Sequence, residues 1–225
     1  MAKSQINHLA VIMDGNRRWA KKKGRPVSAG HAAGVKALDK MAKACKKLGI
    51  HYVTVYAFST ENWQRNKTEV RAMLKLLEKT IQEYTDQMDR ERVGLKVIGR
   101  VKDFPKSLQS AIDKSVNKLK AHRRDILTVA LSYGGRDEIS RAAAKASRAG
   151  RIDEKSLAAH LDTAGLPDPD LIIRTGGQMR LSNFLPWQGV YSELYFTNTL
   201  WPDFGEKDLK KAIREYTRRQ RNFGK

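Results

Sequence analysis

Residues 8–20 read HLAVIMDGNRRWA. Leu9–Met13 is an unbroken apolar run, the pattern of a strand buried on both faces. The run ends at Asp14, and Gly15 permits a tight turn there. Asn16, Arg17, Arg18 and Trp19 then open a helix, whose first N–H groups attract anions. Arg18 can grip phosphate oxygens with two parallel hydrogen bonds. Asp14 is a lone carboxylate among these donors and would repel a phosphate unless a cation lay between them. Mg²⁺ is the economical choice of cation. The competing reading is a surface turn capped by the Asp14 side chain. The segment is not a Walker A loop, because GxxxxGK[ST] is absent from the chain.

A second segment repeats this logic. Residues 171–184 read LIIRTGGQMRLSNF, a buried-strand run followed by Arg174, two glycines, Arg180, Ser182 and Asn183. Glycines let the backbone approach an anion while the arginines supply charge; the alternative is a flexible connector with incidental arginines. Further strand runs are Tyr52–Phe58, Leu95–Ile98, Ile126–Ser132 and Leu194–Thr197, with helical patterns between most of them. Such alternation predicts an α/β domain with a central, mainly parallel six-stranded sheet flanked by helices. Ligands in such sheets sit at the carboxyl ends of strands, where Asp14, Ser59, Tyr133 and Arg174 all fall.

Composition sets the outer limits. The 225 residues suit one domain, expected to span 1–225, with no repeat or low-complexity linker. No apolar run reaches the roughly 18 residues of a membrane span, and the N-terminus does not read as a signal peptide. The single cysteine, Cys45, fits a reducing cytoplasm. Neither CxxC nor HExxH occurs, which argues against zinc. The net charge is +20, which raises nucleic acid, anionic lipid and polyphosphates as partners. Its basic residues are spread along the chain and no nucleic-acid-reading motif accompanies them, so no nucleic-acid partner is expected.

Other polar clusters follow strands. Residues 58–65, FSTENWQR, crowd Ser59, Glu61, Asn62, Trp63 and Arg65 into one loop. In the bland reading, Ser59 or Thr60 caps a helix and Glu61 completes the cap. Residues 30–34, GHAAG, are expected to start a helix with His31 as a phosphate donor or a cap. Glu193 lies in the aromatic stretch YSELYF and is either paired or a metal ligand. Residues 68–91 carry one apolar stripe, Val70, Met73, Leu74, Leu77, Ile81, Tyr84 and Met88, suited to a core-facing helix or one wall of a long apolar cavity. Glu78 and Lys79 are unexpectedly polar for such a wall. Residues 206–221 read as a basic amphipathic helix on the surface or at a subunit contact.

Taken together, HLAVIMDGNRRWA, GHAAG, YAFSTENWQR, SYGGRDEI, IIRTGGQMRLSNFLPWQ and YSELYFTNTLWPDF closely resemble the cis-prenyltransferases, in that family's order from His8 to Phe204. The resemblance implies extension of an allylic diphosphate by isopentenyl diphosphate, a homodimer and an apolar tunnel for the product. It implies that Asp14 and Glu193 hold Mg²⁺. Gly15, Asn16, Arg17 and Arg18 would cradle the allylic diphosphate, with Trp19 and His31 beside it. Arg174, Arg180 and Ser182 would bind isopentenyl diphosphate. Ser59, Glu61, Asn62, Trp63 and Arg65 would position the reacting ends, and Asn16 or Ser59 would help the proton leave. A medium-chain product from a farnesyl primer is expected, and the basic helices suggest peripheral contact with anionic membranes. Two positions depart from the family pattern: Val27 and Gln178 stand where arginine and glutamate are usual.

Overall fold

The computed structural model describes residues 6–219. Six strands form one sheet: β1 (His8–Ile12), β2 (Tyr52–Ser59), β3 (Val93–Ile98), β4 (Asp125–Tyr133), β5 (Leu171–Arg174) and β6 (Glu193–Phe196). Their order is β3-β4-β2-β1-β5-β6 and every pair is parallel. The expected sheet is therefore present, and its boundaries move by only one or two residues. Seven α-helices are seen among the described residues: α1 (Asn16–Lys22), α2 (Val27–Lys47), α3 (Lys67–Arg90), α4 (Lys106–Leu119), α5 (Gly135–Arg148), α6 (Glu154–His160) and α7 (Glu206–Arg218). The expected C-terminal helix ends at Arg218; Gln220 and Arg221 lie outside the described residues.

All five residues of β1 are buried, and they alternate between two cores. Leu9 and Val11 pack with Met41 of α2 and Leu209 and Tyr216 of α7. Ala10 and Ile12 face Phe184 and Leu185 of the β5–β6 connection. A third core joins α3 to α4 through Val70, Met73, Leu108 and Ile112, around Phe58 and Leu131. His8 extends β1 by one residue because its ring is satisfied inside, against Thr54 Oγ1 and the Pro167 carbonyl, both at 2.7 Å.

Strand order decides where a ligand can sit. The chain leaves β1 to build β2, β3 and β4 on one side, then returns to place β5 on the other. The crevice at the carboxyl ends of β1 and β5 is thus the topological switch point. Asp14 follows β1, and Arg174 ends β5 in register with Ile12.

Candidate active site

The turn after β1 is built around Gly15, whose φ of 119° lies in a region that side chains avoid. Gly15 is the N-cap of α1 and no side chain caps that helix, so the Asx-cap reading of Asp14 does not hold. α1 has only seven residues and little dipole, so anion affinity here falls to side chains. The Asp14 carboxylate bridges two arginines, accepting from Arg18 Nη2 at 2.9 Å and Arg174 Nη2 at 3.1 Å. Arg18 also donates to the Gly176 carbonyl at 2.5 Å, tying the β1 turn to the β5 turn. Thr175 Oγ1 donates to the Asp14 carbonyl at 2.7 Å. Sequence reading missed Thr175, whose role depends on a contact 161 residues away.

The Arg174 side chain is 7% exposed, with Asp14 as its counter-ion. Its Nη1 donates to Ser182 Oγ at 2.7 Å and the Arg180 carbonyl at 2.5 Å. Ser182, Asn183 and Leu185 all have positive φ. Such strain gathers where a loop is held for function. The exposed Arg180 guanidinium donates to Gln178 Oε1 at 2.6 Å, so Gln178 still contacts Arg180 where a glutamate is usual.

Ser59 and Asn62 form a capping box across a 3₁₀ turn spanning Thr60–Gln64, with the Ser59 N–H donating to Asn62 Oδ1 at 3.1 Å. Asn62, not Glu61, completes that cap. Burial works against the Glu61 carboxylate. Hydrogen bonds from its own backbone and from Ser59, Asn183 and Thr60 outweigh burial and keep its pKa below the ordinary value.

These segments enclose a cleft of about 1180 Å³. Arg17, Arg18, Lys21, Arg25, Arg65 and Arg174 line it, against two carboxylates, Asp14 and Glu61. Lys21 and Arg25 were not expected at the site, although the basic run was visible in the sequence. Val27 lines the cleft too, so its departure from the family pattern falls within the site. Glu69 holds Arg65 at 3.0 Å and approaches Arg17 at 3.8 Å.

The cleft continues into a narrow apolar cavity between the sheet, α2 and α3. Met13, Asn16, His31, Ala57 and Met73 line both spaces and so form the mouth between them. Asn16 Oδ1 and His31 Nε2 are buried there without a partner in the protein. Desolvation lowers the His31 pKa, as do Arg65 and Arg17, against an opposing pull from Glu69. His31 lies within α2, which begins at Val27, so GHAAG does not start the helix. Glu78 and Lys79 are absent from the cavity wall; Glu78 accepts from Ser107, and Lys79 pairs with Glu83.

Four expected site residues are placed outside the cleft lining, and Arg180 is one of them, its exposed guanidinium held by Gln178. Glu193 opens β6 in register with Leu171, at the opposite end of the sheet from Asp14, and pairs with Arg219 at 2.6 Å. Asp14 and Glu193 therefore do not meet within one chain. Trp19 donates to Asp203 at 2.7 Å and stacks near Arg25, outside the cleft lining. Trp63 turns inward between Phe58 and Phe104.

No cluster of three metal-ligating side chains occurs among the described residues. Asp14 offers a partly exposed carboxylate between Arg18 and Arg174. That donor set fits Mg²⁺, which keeps its waters and binds through one or two carboxylates plus substrate phosphates.

The undecaprenyl diphosphate synthase family model matches residues 12–224. The chain is 46% identical to an isoprenyl transferase of Clostridium perfringens over 96% of its length and 89% of that protein. It is 47% identical to one from Streptococcus pneumoniae, covering 96% and 91% respectively. Among solved structures, lavandulyl diphosphate synthase from Lavandula x intermedia, in complex with dimethylallyl diphosphate, superposes with a TM-score of 0.93. It is 36% identical, with 98% of both chains covered. A probable undecaprenyl diphosphate synthase from Campylobacter jejuni gives 0.85 at 36% identity, with 98% of this chain and 99% of that one covered. The chain belongs to the isoprenyl transferase family, that of the undecaprenyl diphosphate synthases.

Proposed function

We propose that this protein adds isopentenyl diphosphate repeatedly to an allylic diphosphate, preferably farnesyl diphosphate, and yields a medium-chain polyprenyl diphosphate with cis double bonds. One observation carries this reading: a cation-lined cleft opens directly into an apolar tunnel. In each cycle the allylic C1–O bond breaks and its electron pair leaves with diphosphate. The isopentenyl double bond then joins C1, and a proton departs from isopentenyl C2.

Arg17, Arg18 and Arg25 suit the departing diphosphate, because fixed cations stabilise the charge that develops on it. Arg174, Arg180 and Ser182 suit the second diphosphate. Asp14 would hold Mg²⁺, which when bound supplies further positive charge at the diphosphate. The tunnel keeps water from the allylic cation. Asn16 and Ser59 line the cleft and would orient the oxygen that receives the proton.

The tunnel has a polar end. Lys43 pairs with Asp39 at 3.0 Å and Glu91 at 3.8 Å, and Gln87 donates to both carboxylates. Beyond them Lys46 approaches Asp125 at 3.4 Å. All these residues line the cavity. An apolar chain tip reaching them would desolvate charges, which is costly, so this cluster would set the product length. The test supplies farnesyl diphosphate, labelled isopentenyl diphosphate, Mg²⁺ and detergent, and sizes the extracted lipids. A ladder ending at one medium length is expected, and Glu91→Leu should lengthen it. No incorporation from any allylic primer by folded protein would overturn the reading. An unchanged ladder in Glu91→Leu would remove the cluster from length control.

The same reading includes a homodimer and peripheral membrane contact. Val190 and Tyr191 are 67% and 76% exposed just before the edge strand β6, a face suited to a second copy. Lys36, Lys40, Lys43 and Lys47 recur along the exposed face of α2, and Lys207, Lys211, Arg214 and Arg218 along that of α7. Among the described residues no helix is long and apolar enough to cross a membrane. Sedimentation should give a dimer mass, with pelleting on anionic but not neutral vesicles. A monomer would overturn the first expectation, and equal pelleting on both vesicles the second.

A further inference from the structure

Trp63 was expected to touch substrate, yet its ring packs between Phe58 and Phe104, at centroid distances of 5.0 and 5.3 Å. Its indole N–H donates to Ser132 Oγ at 2.9 Å. Ser132 Oγ donates in turn to Asp103 Oδ2 at 2.7 Å, and Arg100 Nε holds Asp103 at 3.1 Å. We propose that Ser132 and Asp103 are positioning residues, which fix the 59–65 turn of the cleft through the Trp63 indole. This rests on the prenyl-transfer reading of that cleft.

Two features point to a purpose beyond packing. Ser132 is fully buried and has a φ of 45°, inside strand β4 and without being glycine. Non-glycine residues rarely adopt that conformation, and where they do the surroundings enforce it. The register between β2 and β4 also slips at Tyr56/Phe58 and Phe58/Ser59, just where the turn leaves the sheet. The second feature is chemical. An indole N–H only donates and a carboxylate only accepts, so the group between them must do both. A serine hydroxyl meets that need.

The turn is tied together, because the capping box links Ser59 to Asn62 and the Arg65 N–H donates to the Asn62 carbonyl at 3.2 Å. Ser59, Glu61, Asn62 and Arg65 all line the cleft, while Trp63 does not. A loosened indole would therefore misplace four cleft residues without removing any of them. Small misplacements of that kind cost rate rather than fold.

The test compares Ser132→Ala, Asp103→Ala and Ser132→Asn with the parent enzyme. Asparagine tolerates this backbone region and both donates and accepts. The two alanine variants should unfold cooperatively like the parent, yet lose about 10- to 100-fold in kcat/KM for the allylic diphosphate. Ser132→Asn should return to within about threefold of the parent. A purely structural role predicts parent kcat/KM in whatever fraction folds, and no difference between asparagine and alanine. Parent kinetics in a folded Ser132→Ala, or an Asn variant as poor as Ala, would overturn the proposal. Should Ser132→Ala fail to fold, the partly exposed Asp103→Ala decides it, and unchanged kinetics there overturn it. Trp63 emission, taken as the difference between each protein and its Trp63→Phe version, reads the indole without turnover. It should shift in both alanine variants, and an unshifted emission overturns the proposal. A parent that never turns over while this emission does shift would sink the enzymatic reading and leave the positioning contact standing.

Discussion

Asp14→Ala is expected to lower turnover about a thousandfold in saturating Mg²⁺, roughly 4 kcal/mol of transition-state stabilisation. The substitution removes the one cleft carboxylate that bridges Arg18 and Arg174. It also leaves the buried Arg174 guanidinium without its counter-ion. Breaking a buried pair in this way costs about 3–5 kcal/mol, and less here because water reaches Asp14. A stability loss could thus imitate a catalytic one. Asp14→Asn separates them, since an amide oxygen can still accept from an arginine while the charge is gone. Asp14→Asn should keep most of the thermal stability and still lose most of the turnover.

Binding gives an independent reading of the same residue. In chelator, Asp14 is a negative charge that faces a diphosphate and occupies Arg18 and Arg174, so its removal should free both arginines and strengthen binding of a non-reactive allylic analogue. With Mg²⁺ present the order should reverse, because the parent alone keeps the carboxylate that would share the cation. Titrating the analogue against both proteins, with and without Mg²⁺, checks the sign. Weaker binding of the variant in chelator, or near-parent turnover in Mg²⁺, would remove Asp14 from the metal role.

Much of the sheet was legible because a strand buried on both faces must be apolar along its whole length. β1 comes nearest to that limit, and β2, β4 and β5 carry nearly continuous apolar runs. The position of Asp14 and Arg174 at strand ends was equally legible, since parallel sheets put ligands at the carboxyl ends of their strands. Glu193 was misplaced by neglect of the same rule: it begins its strand and so belongs at the amino ends of the strands, opposite Asp14. Trp63 was harder. A polar-rich loop gave no sign that its one aromatic residue turns inward, because Ser132 and Phe104 are distant in sequence. Arg25 and Lys21 were hidden by number, as a very basic chain offers no contrast by which to single out two cations.

The GHAAG segment was read through its histidine, whereas its glycines set the geometry. A Cβ at Gly30 would lie 2.2 Å from the Asn16 carbonyl oxygen and 3.0 Å from Ala20 Cβ. The contact is with backbone, so α1 and α2 must move apart. Gly30→Ala gains about 1 kcal/mol of helix propensity. Overpacking costs about 1–3 kcal/mol, at the upper end where backbone cannot yield. The clash should therefore win, with a clear fall in thermal midpoint. Asn16 would shift with its carbonyl, and turnover should fall about 10- to 100-fold. Gly34 gives the contrast. A Cβ there meets Asn16 Oδ1 at 2.6 Å and Trp201 Cδ1 at 3.0 Å, both side-chain atoms. Gly34→Ala should thus cost less stability but displace the Asn16 amide at the tunnel mouth, and activity should suffer more than fold. Thermal melts and steady-state kinetics on both variants test the pair. A Gly30→Ala protein as stable and as active as the parent would mean that α2 can slide over α1, and that Asn16 is not held by this crossing.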